Sequence, residues 1–296
     1  MVPKTLTPPF NHSFLAERII SLNVFGCPLS SVQTHIKPSK KEEHYHHSCG
    51  IWLKASYINH SCHSNVRRSF IGDLMLVRAT CDIPADTELK FWYQPPGAKS
   101  YQETQNGLKT WAFECDCAIC TDAKSTPNKT ANRRKALVGD LLTVLQNPAW
   151  LDAPKADRLA AAIEATYKSP ASEVPRLALW EPYLLTTRAY AAASQPVEVV
   201  SAALKFLRSL SFVIKGADPP FASSPASFEV VRWGLMIDNV IEIWVHLWTA
   251  YAAVAPQLCT KAEECAKIAY RICVGWDEMF EEHWGNRARE VIQDIK

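Results

Sequence analysis

Apolar positions along this chain follow two different rules. Between residues 74 and 93 they gather in short β-rich runs, Leu74-Met-Leu-Val-Arg-Ala-Thr80 and Glu88-Leu-Lys-Phe-Trp-Tyr93, parted by the turn-like Asp82-Ile-Pro84-Ala-Asp86. Beyond residue 134 strand-like runs disappear, and apolar residues recur every three or four positions. That spacing predicts helices over 136–145, 156–167, 197–212, 262–272 and 276–292. It is clearest in Ile237, Val240, Ile241, Trp244, Leu247, Trp248 and Tyr251, which share one face, so Trp244 and Trp248, with Trp233, read as core. Pro154, Pro182 and Pro196 fall near predicted helix starts, where proline is tolerated. Upstream, 14–24 predicts a short helix through Leu15, Ile19, Ile20 and Leu22, and 101–111 a second one. Residues 33–48 read as a polar loop. The polar, proline-broken stretch 121–134 lacks periodicity and reads as a linker.

The pattern defines an α+β fold: a β-rich module at 1–121, a linker at 122–133, and an all-α domain at 134–296. Alanine-rich helices with short connections suggest stacked antiparallel hairpins of tetratricopeptide-like form. No clean repeat supports that period, and a non-repeating bundle is the alternative.

Composition narrows the classes. At 296 residues there is room for two domains, and 48% apolar with 21% charged residues describes an ordinary folded protein. A net charge of +2 makes no electrostatic case for nucleic acid or an anionic membrane as partner. The longest uncharged stretch, 243–260, carries His246 and Pro256 and reads as a buried helix, not a membrane span. Of the 10 cysteines, all but Cys259, Cys265 and Cys273 precede residue 121. With no secretory apolar segment after Met1, that clustering points to reduced thiols and metal inside the cell, cytoplasmic or nuclear.

The chemistry centres on Cys115-Asp-Cys117-Ala-Ile-Cys120, three thiolates within one short run. Tetrahedral zinc takes four ligands, so one must come from elsewhere: Cys62, Cys49, Cys81 or a histidine. Cys81 ends an apolar run and reads as a core thiol. His44, His46 and His47 sit beside Lys40 and Lys41 and read as solvated. Asn65 reads as structural, an amide able to satisfy backbone groups at a tight crossing.

Four ordered motifs carry a resemblance. Tyr57-Ile-Asn59-His60-Ser61-Cys62-His63-Ser64-Asn65 resembles the Asn-His-Ser-Cys-x-Pro-Asn signature of SET domains. Gly72-Asp-Leu-Met-Leu-Val-Arg78-Ala79 resembles the strand that follows it, and 82–93 the closing segment that ends in tyrosine. Trp111-Ala-Phe113-Glu-Cys115-Asp-Cys117-Ala-Ile-Cys120 is similar to the post-SET zinc knuckle. With a helical half behind them, the group resembled is the SET-and-MYND (SMYD-like) proteins and their fungal relatives. The resemblance implies a protein-lysine N-methyltransferase using S-adenosyl-L-methionine and acting on a histone or other lysine-containing protein. It implies Zn2+ on Cys62, Cys115, Cys117 and Cys120, cofactor contacts from Asn59, the His60 backbone and Phe113, and Tyr93 at the transfer site. Phe91, Trp92 and Tyr93 would supply aromatic walls, with strand alternation turning Trp92 away from the other two. The helical half would dock the protein substrate or partner.

The chain also departs from the pattern. It contains no Gly-x-Gly, the strand-turn that cradles the methionine end of the cofactor, no early half of the SET fold before Phe14, and no cysteine-dense MYND module. Ser64 replaces the motif's proline, and Ala85 fills a turn position often held by glycine. A truncated enzyme, an enzyme with a rebuilt cofactor loop, and a catalytically inactive zinc-stabilised interaction scaffold are the readings these departures allow. Nucleic-acid binding through the knuckle lacks the basic, aromatic-interleaved face it would need.

Overall fold

The structure, a computed structural model, describes residues 12–27, 48–146, 152–221 and 223–295. The loop histidines His44, His46 and His47 lie outside the described residues.

The first helix, α1 (His12–Asn23), forms where its apolar spacing predicts, yet Phe14, Leu15, Ile19 and Ile20 remain exposed. Next come short paired strands: β1 (Phe25–Cys27) against β2 (Ser48–Gly50), and β3 (Asn59–His60) parallel to β6 (Lys90–Phe91). Between them β4 (Val66–Ile71) and β5 (Leu74–Ala79) make an antiparallel hairpin. Its two-residue turn requires positive φ at its first central position, which Gly72 supplies at 57°. In the turn before β6, the left-handed position belongs to Asp86 at φ 62°, so Ala85 takes on no glycine-like conformation. Only Lys90 and Phe91 of the expected 88–93 run pair as strand. The rest of that run diverges into separate packing roles.

Alternation along that run links the layers. Phe91 is fully buried beside Phe25, whereas Trp92 packs against the helical core. The hairpin docks on the helices through Arg67, which donates to the Met236 carbonyl at 2.6 Å and to Asp238. Arg68 lies over the Phe91 ring and donates to the Trp92 carbonyl. Arg67 thus ties the β module to the bundle, whereas Arg68 ties β4 to the end of β6, and both cover aromatic rings.

Helices then dominate. α2 (Tyr101–Leu108) opens on a reciprocal capping box between Ser100 and Glu103. The stretch expected to be an irregular linker is mostly helical: α3 (Ala118–Ser125) and α4 (Asn128–Leu145) meet at Thr126-Pro127. Proline forces the residue before it out of helical geometry, and Thr126 is extended. Polarity there marks exposed helix faces, since Cys120 and Asp122 on α3 point inward. α5 (Ala153–Glu164), α6 (Trp180–Ala192), α7 (Pro196–Ser209), α8 (Asn239–Val254) and α9 (Pro256–Cys273) follow. Pro154, Pro196 and Pro256 occupy first turns, as N-terminal proline should. The connections α6–α7 and α8–α9 are so short that each pair is an antiparallel hairpin. Trp244 and Trp248 are buried in the shared core, and Trp233 packs on it half-buried.

Two features correct the helix-only expectation. A small hairpin, β7 (Val213–Lys215) with β8 (Glu229–Arg232), interrupts the helices after α7. Here Ser211 turns left-handed at φ 69°, and the chain returns through Gly234, where a side chain would strike the Leu210 carbonyl. The final segment is also not one helix. A 3-10 turn (Asp277–Met279) and a π turn (Glu281–Gly285) precede α10 (Asn286–Ile295). No described helix is long and apolar enough to cross a membrane.

Candidate metal centre and aromatic cleft

Local sequence builds this site in three steps. First, the capping box fixes the register of α2, which turns Gln105 and Leu108 inward. Gln105 then clamps the knuckle backbone from both sides, accepting from Cys115 N at 2.9 Å and donating to Cys115 O at 3.1 Å. Finally, Cys117 is the N-cap of α3, so the first turn of the helix carries Cys120 back toward Cys115. Leu108, Trp111, Phe113 and Ile119 pack around the sulfurs.

The Sγ atoms of Cys62, Cys115, Cys117 and Cys120 lie within 4.8 Å of one another. Cys62 is 4.0 Å from Cys115 and 3.7 Å from Cys120. Sulfurs held about 2.3 Å from a tetrahedral zinc stand about 3.8 Å apart. The two Cys62 separations match that spacing, and the four thiols converge as a tetrahedral zinc site requires. Contact with Cys115 first, then Cys117 and Cys120, pushes the Cys62 thiol up, while bonds from its neighbours, Cys117 first, hold the Cys115 thiol down, so the cluster divides into protonated and ionised sulfurs. Cys49 is exposed and Cys81 half-buried, and neither joins the cluster.

Cys62 reaches the knuckle because β3 ends beside it, and Asn65 fastens the crossing. The Asn65 amide donates to the Glu88 carbonyl at 2.9 Å and accepts from Lys90 N at 2.8 Å, the backbone-satisfying role expected of it. On the exposed side, Asn59 Nδ2 donates to Glu88 Oε1 at 2.6 Å. That bond, with Lys90 alongside, holds the Glu88 carboxyl below its ordinary value.

Tyr93 leaves β6 toward the knuckle. Its hydroxyl donates to the Ile58 carbonyl at 3.0 Å, and its backbone N–H donates to His60 Nδ1 at 2.9 Å. Its ring centroid lies 5.1 Å from Trp111, 5.3 Å from His60 and 6.2 Å from Phe113. Burial pushes the Tyr93 phenol up, so it is a protonated donor at neutral pH. Ala112, left-handed at φ 56°, turns the chain so that Phe113 enters this cluster. The structure thus gathers Cys62, Cys115, Cys117, Cys120, His60, Tyr93 and Phe113, and leaves Asn59 at the rim with its amide held by Glu88. Gln105, Trp111 and the imidazole of His60 escaped the sequence reading. The Ser100-x-x-Glu103 box was the available signal for Gln105, because it sets the helix face.

Comparison with known proteins bears on this arrangement of a cysteine knuckle beside an aromatic cluster. Residues 11–94 match the SET domain family, a match that ends before the knuckle begins. Over 290 residues the chain is 39% identical to a protein named methyltransferase from Gibberella zeae, covering 95% of this chain and 40% of that relative. It is also 34% identical over 71 residues to histone-lysine N-methyltransferase SMYD3 of mouse and of human, covering 24% of this chain and 17% of each. Residues 11–94 are thus the part of the chain that resembles a SET domain, and the chain's relatives include a SMYD-type methyltransferase. The chain spans two-fifths of the length of the Gibberella relative.

Proposed function

We propose that this chain contributes the zinc-bound wall of the active site of a SET-type protein-lysine N-methyltransferase. One observation carries the reading. Cys62, which closes the Asn-His-Ser-Cys motif, shares a four-sulfur cluster with the knuckle, and Tyr93 and Phe113 flank His60 beside it. Zinc on Cys62, Cys115, Cys117 and Cys120 would hold the knuckle to β3 and so fix the distance between Phe113 and Tyr93. The aromatic faces of Tyr93, Trp111 and Phe113 suit both an adenine ring and a sulfonium cation. S-adenosylmethionine supplies a methyl group on a sulfonium, electrophilic enough for direct transfer to an amine. Asn59, the backbone at His60, and Phe113 would line the cofactor side.

The chain's own task is positioning. Tyr93, a phenol kept protonated by burial and oriented by Ile58, aligns the reactants and is not their base. Desolvation in an apolar channel also disfavours a lysine ammonium and would help the amine lose its proton before transfer. The substrate proposed is a lysine-containing protein, a histone being the class that the SMYD3 name carries. Docking of that protein falls to the helical half, read as tetratricopeptide-like. Its cavity of ≈ 160 Å³ between α4, α5, α6 and α7 is lined by Tyr183, Tyr190, Glu198 and the ion pair of Asp157 with Lys205, and would take a peptide against its tyrosine rings. Reduced thiols fit an intracellular setting. Calorimetric titration of the zinc-loaded chain with S-adenosylmethionine tests the reading: saturable binding is expected. No heat at high micromolar cofactor would remove the enzyme and leave a zinc-stabilised interaction module.

A further inference from the structure

The His60 side chain is buried, with 8% of its surface exposed, and both its ring nitrogens face partners. Nδ1 lies 2.9 Å from the backbone nitrogen of Tyr93, and Nε2 lies 3.3 Å from Cys62 Sγ. A backbone N–H can only donate, so Nδ1 must present a lone pair. The ring proton therefore sits on Nε2 and points at the sulfur. Tyr93 meets the ring edge-on at 5.3 Å and Phe113 at a tilt at 5.7 Å, which holds its plane, and a flip within that plane would set ring carbons against the Tyr93 N–H and the Cys62 sulfur.

We propose that His60 is a positioning residue that bridges the metal knuckle and Tyr93, donating Nε2–H to the Cys62 thiolate while Nδ1 accepts the Tyr93 N–H. The inference deepens the preceding reading and rests on metal occupying the four-cysteine cluster. It assigns the imidazole a role that neither its place in the motif nor the cofactor contact of its backbone requires. An N–H bond to a metal-bound thiolate withdraws charge from sulfur and orients the ligand, as outer-shell partners of metal ligands do. Because the second ring nitrogen holds the Tyr93 backbone, the sulfur's position and the tyrosine's position are set by one rigid plane. Loss of metal would free Cys62, and the ring would carry that freedom to Tyr93.

The two halves of the bridge separate by substitution. In His60→Gln the amide N–H can replace Nε2–H but offers no acceptor at the Nδ1 position. In His60→Asn the amide oxygen can replace Nδ1 but nothing reaches the sulfur. Cobalt(II) in the cluster reports on the sulfur through its thiolate-to-metal charge-transfer band. The expected result is a shift of that band to lower energy in His60→Asn, with about tenfold weaker metal binding by chelator competition. His60→Gln should keep the wild-type band while altering the near-ultraviolet dichroism of Tyr93 and Trp111. Wild-type, histidine-labelled protein should show the Nε2–H tautomer by nitrogen NMR, a readout that needs no variant to fold. Cobalt uptake with the same band in all three proteins, or an Nδ1–H tautomer, overturns the inference alone. A wild type that takes up no cobalt overturns the metal reading and the inference with it.

Discussion

Asn65→Ala isolates the crossing on which the site hangs. The β3–β6 pairing is two residues long, and the Asn65 side chain adds two hydrogen bonds to it, at 2.9 Å to the Glu88 carbonyl and 2.8 Å from Lys90 N. Each is worth about 1 kcal/mol net, and stranding the half-buried Lys90 N–H adds up to about 1 kcal/mol. The backbone bonds of Asn65, to Lys90 O and from Thr80 N, survive the substitution. Asn65→Ala should therefore cost about 2–3 kcal/mol, and Asn65→Asp, which keeps the acceptor for Lys90, about 1 kcal/mol. Equilibrium urea unfolding of metal-loaded protein, followed by tryptophan fluorescence, measures this, provided that the m-value is unchanged. An alanine variant within about 0.5 kcal/mol of wild type would refute the crossing argument, since that is the ordinary effect of a surface change. An aspartate as costly as alanine would show that the acceptor half contributes nothing.

Three further outcomes follow from the geometry. Cys62→Ser removes one of four converging sulfurs, so bound zinc measured by elemental analysis should fall from one equivalent to a small fraction. Undiminished zinc would exclude Cys62 as a ligand. Tyr93→Phe deletes the bond to the Ile58 carbonyl and should cost about 1 kcal/mol while lowering methyl transfer with cofactor binding intact. Equal turnover in both proteins would rule out its place at the transfer site. In the helical half, burial pushes the Glu242 carboxyl up, but bonds to Arg188 and His246 outweigh it and hold the group down to about 2, against an ordinary 4.5. A depressed carboxyl stabilises above its unfolded pKa and loses that contribution as pH falls through the folded one. Glu242→Gln should thus be less stable than wild type at neutral pH, with the gap closing between pH 4.5 and about 2 in acid-unfolding curves. A gap independent of pH would mean that the ion pair is not its source.

What could be read before folding was whatever chemistry restricts to few residue types. Only cysteine supplies soft thiolates at the spacing of Cys115, Cys117 and Cys120, so a candidate metal site one ligand short stood out, while the choice of Cys62 among the possible fourth ligands came from the motif resemblance. The core face of α8 was equally legible, because Trp244, Trp248 and Tyr251 can be buried together only at helical spacing. The misread parts depend on tertiary contact. β7 and β8 are three and four residues long, too short to carry a pattern, and exist because Ile214 and Phe228 are buried against helices. The supposed linker is helix because α3 turns Cys120 and Asp122 inward, a choice that its polar composition hides. α6 was marked only by Pro182 near its start and not by its spacing, because its inward residues, Pro182, Leu184 and Thr187, mix proline and a hydroxyl with apolar types.

The same division runs through the site. Ligands and aromatics announce themselves by type, whereas the residues that join them do not. Gln105 holds Cys115, Asn65 holds β6 to the β3 crossing, and His60 reaches both Cys62 and Tyr93 through ring nitrogens whose roles only the fold decides. A polar side chain bonded to backbone is interchangeable in a sequence pattern with one bonded to water. Its function becomes definite only when the fold sets a partner on each side of it. At His60 those partners are the buried Cys62 and the half-buried Tyr93, which is why the joint between cysteine knuckle and tyrosine had to be found in the fold.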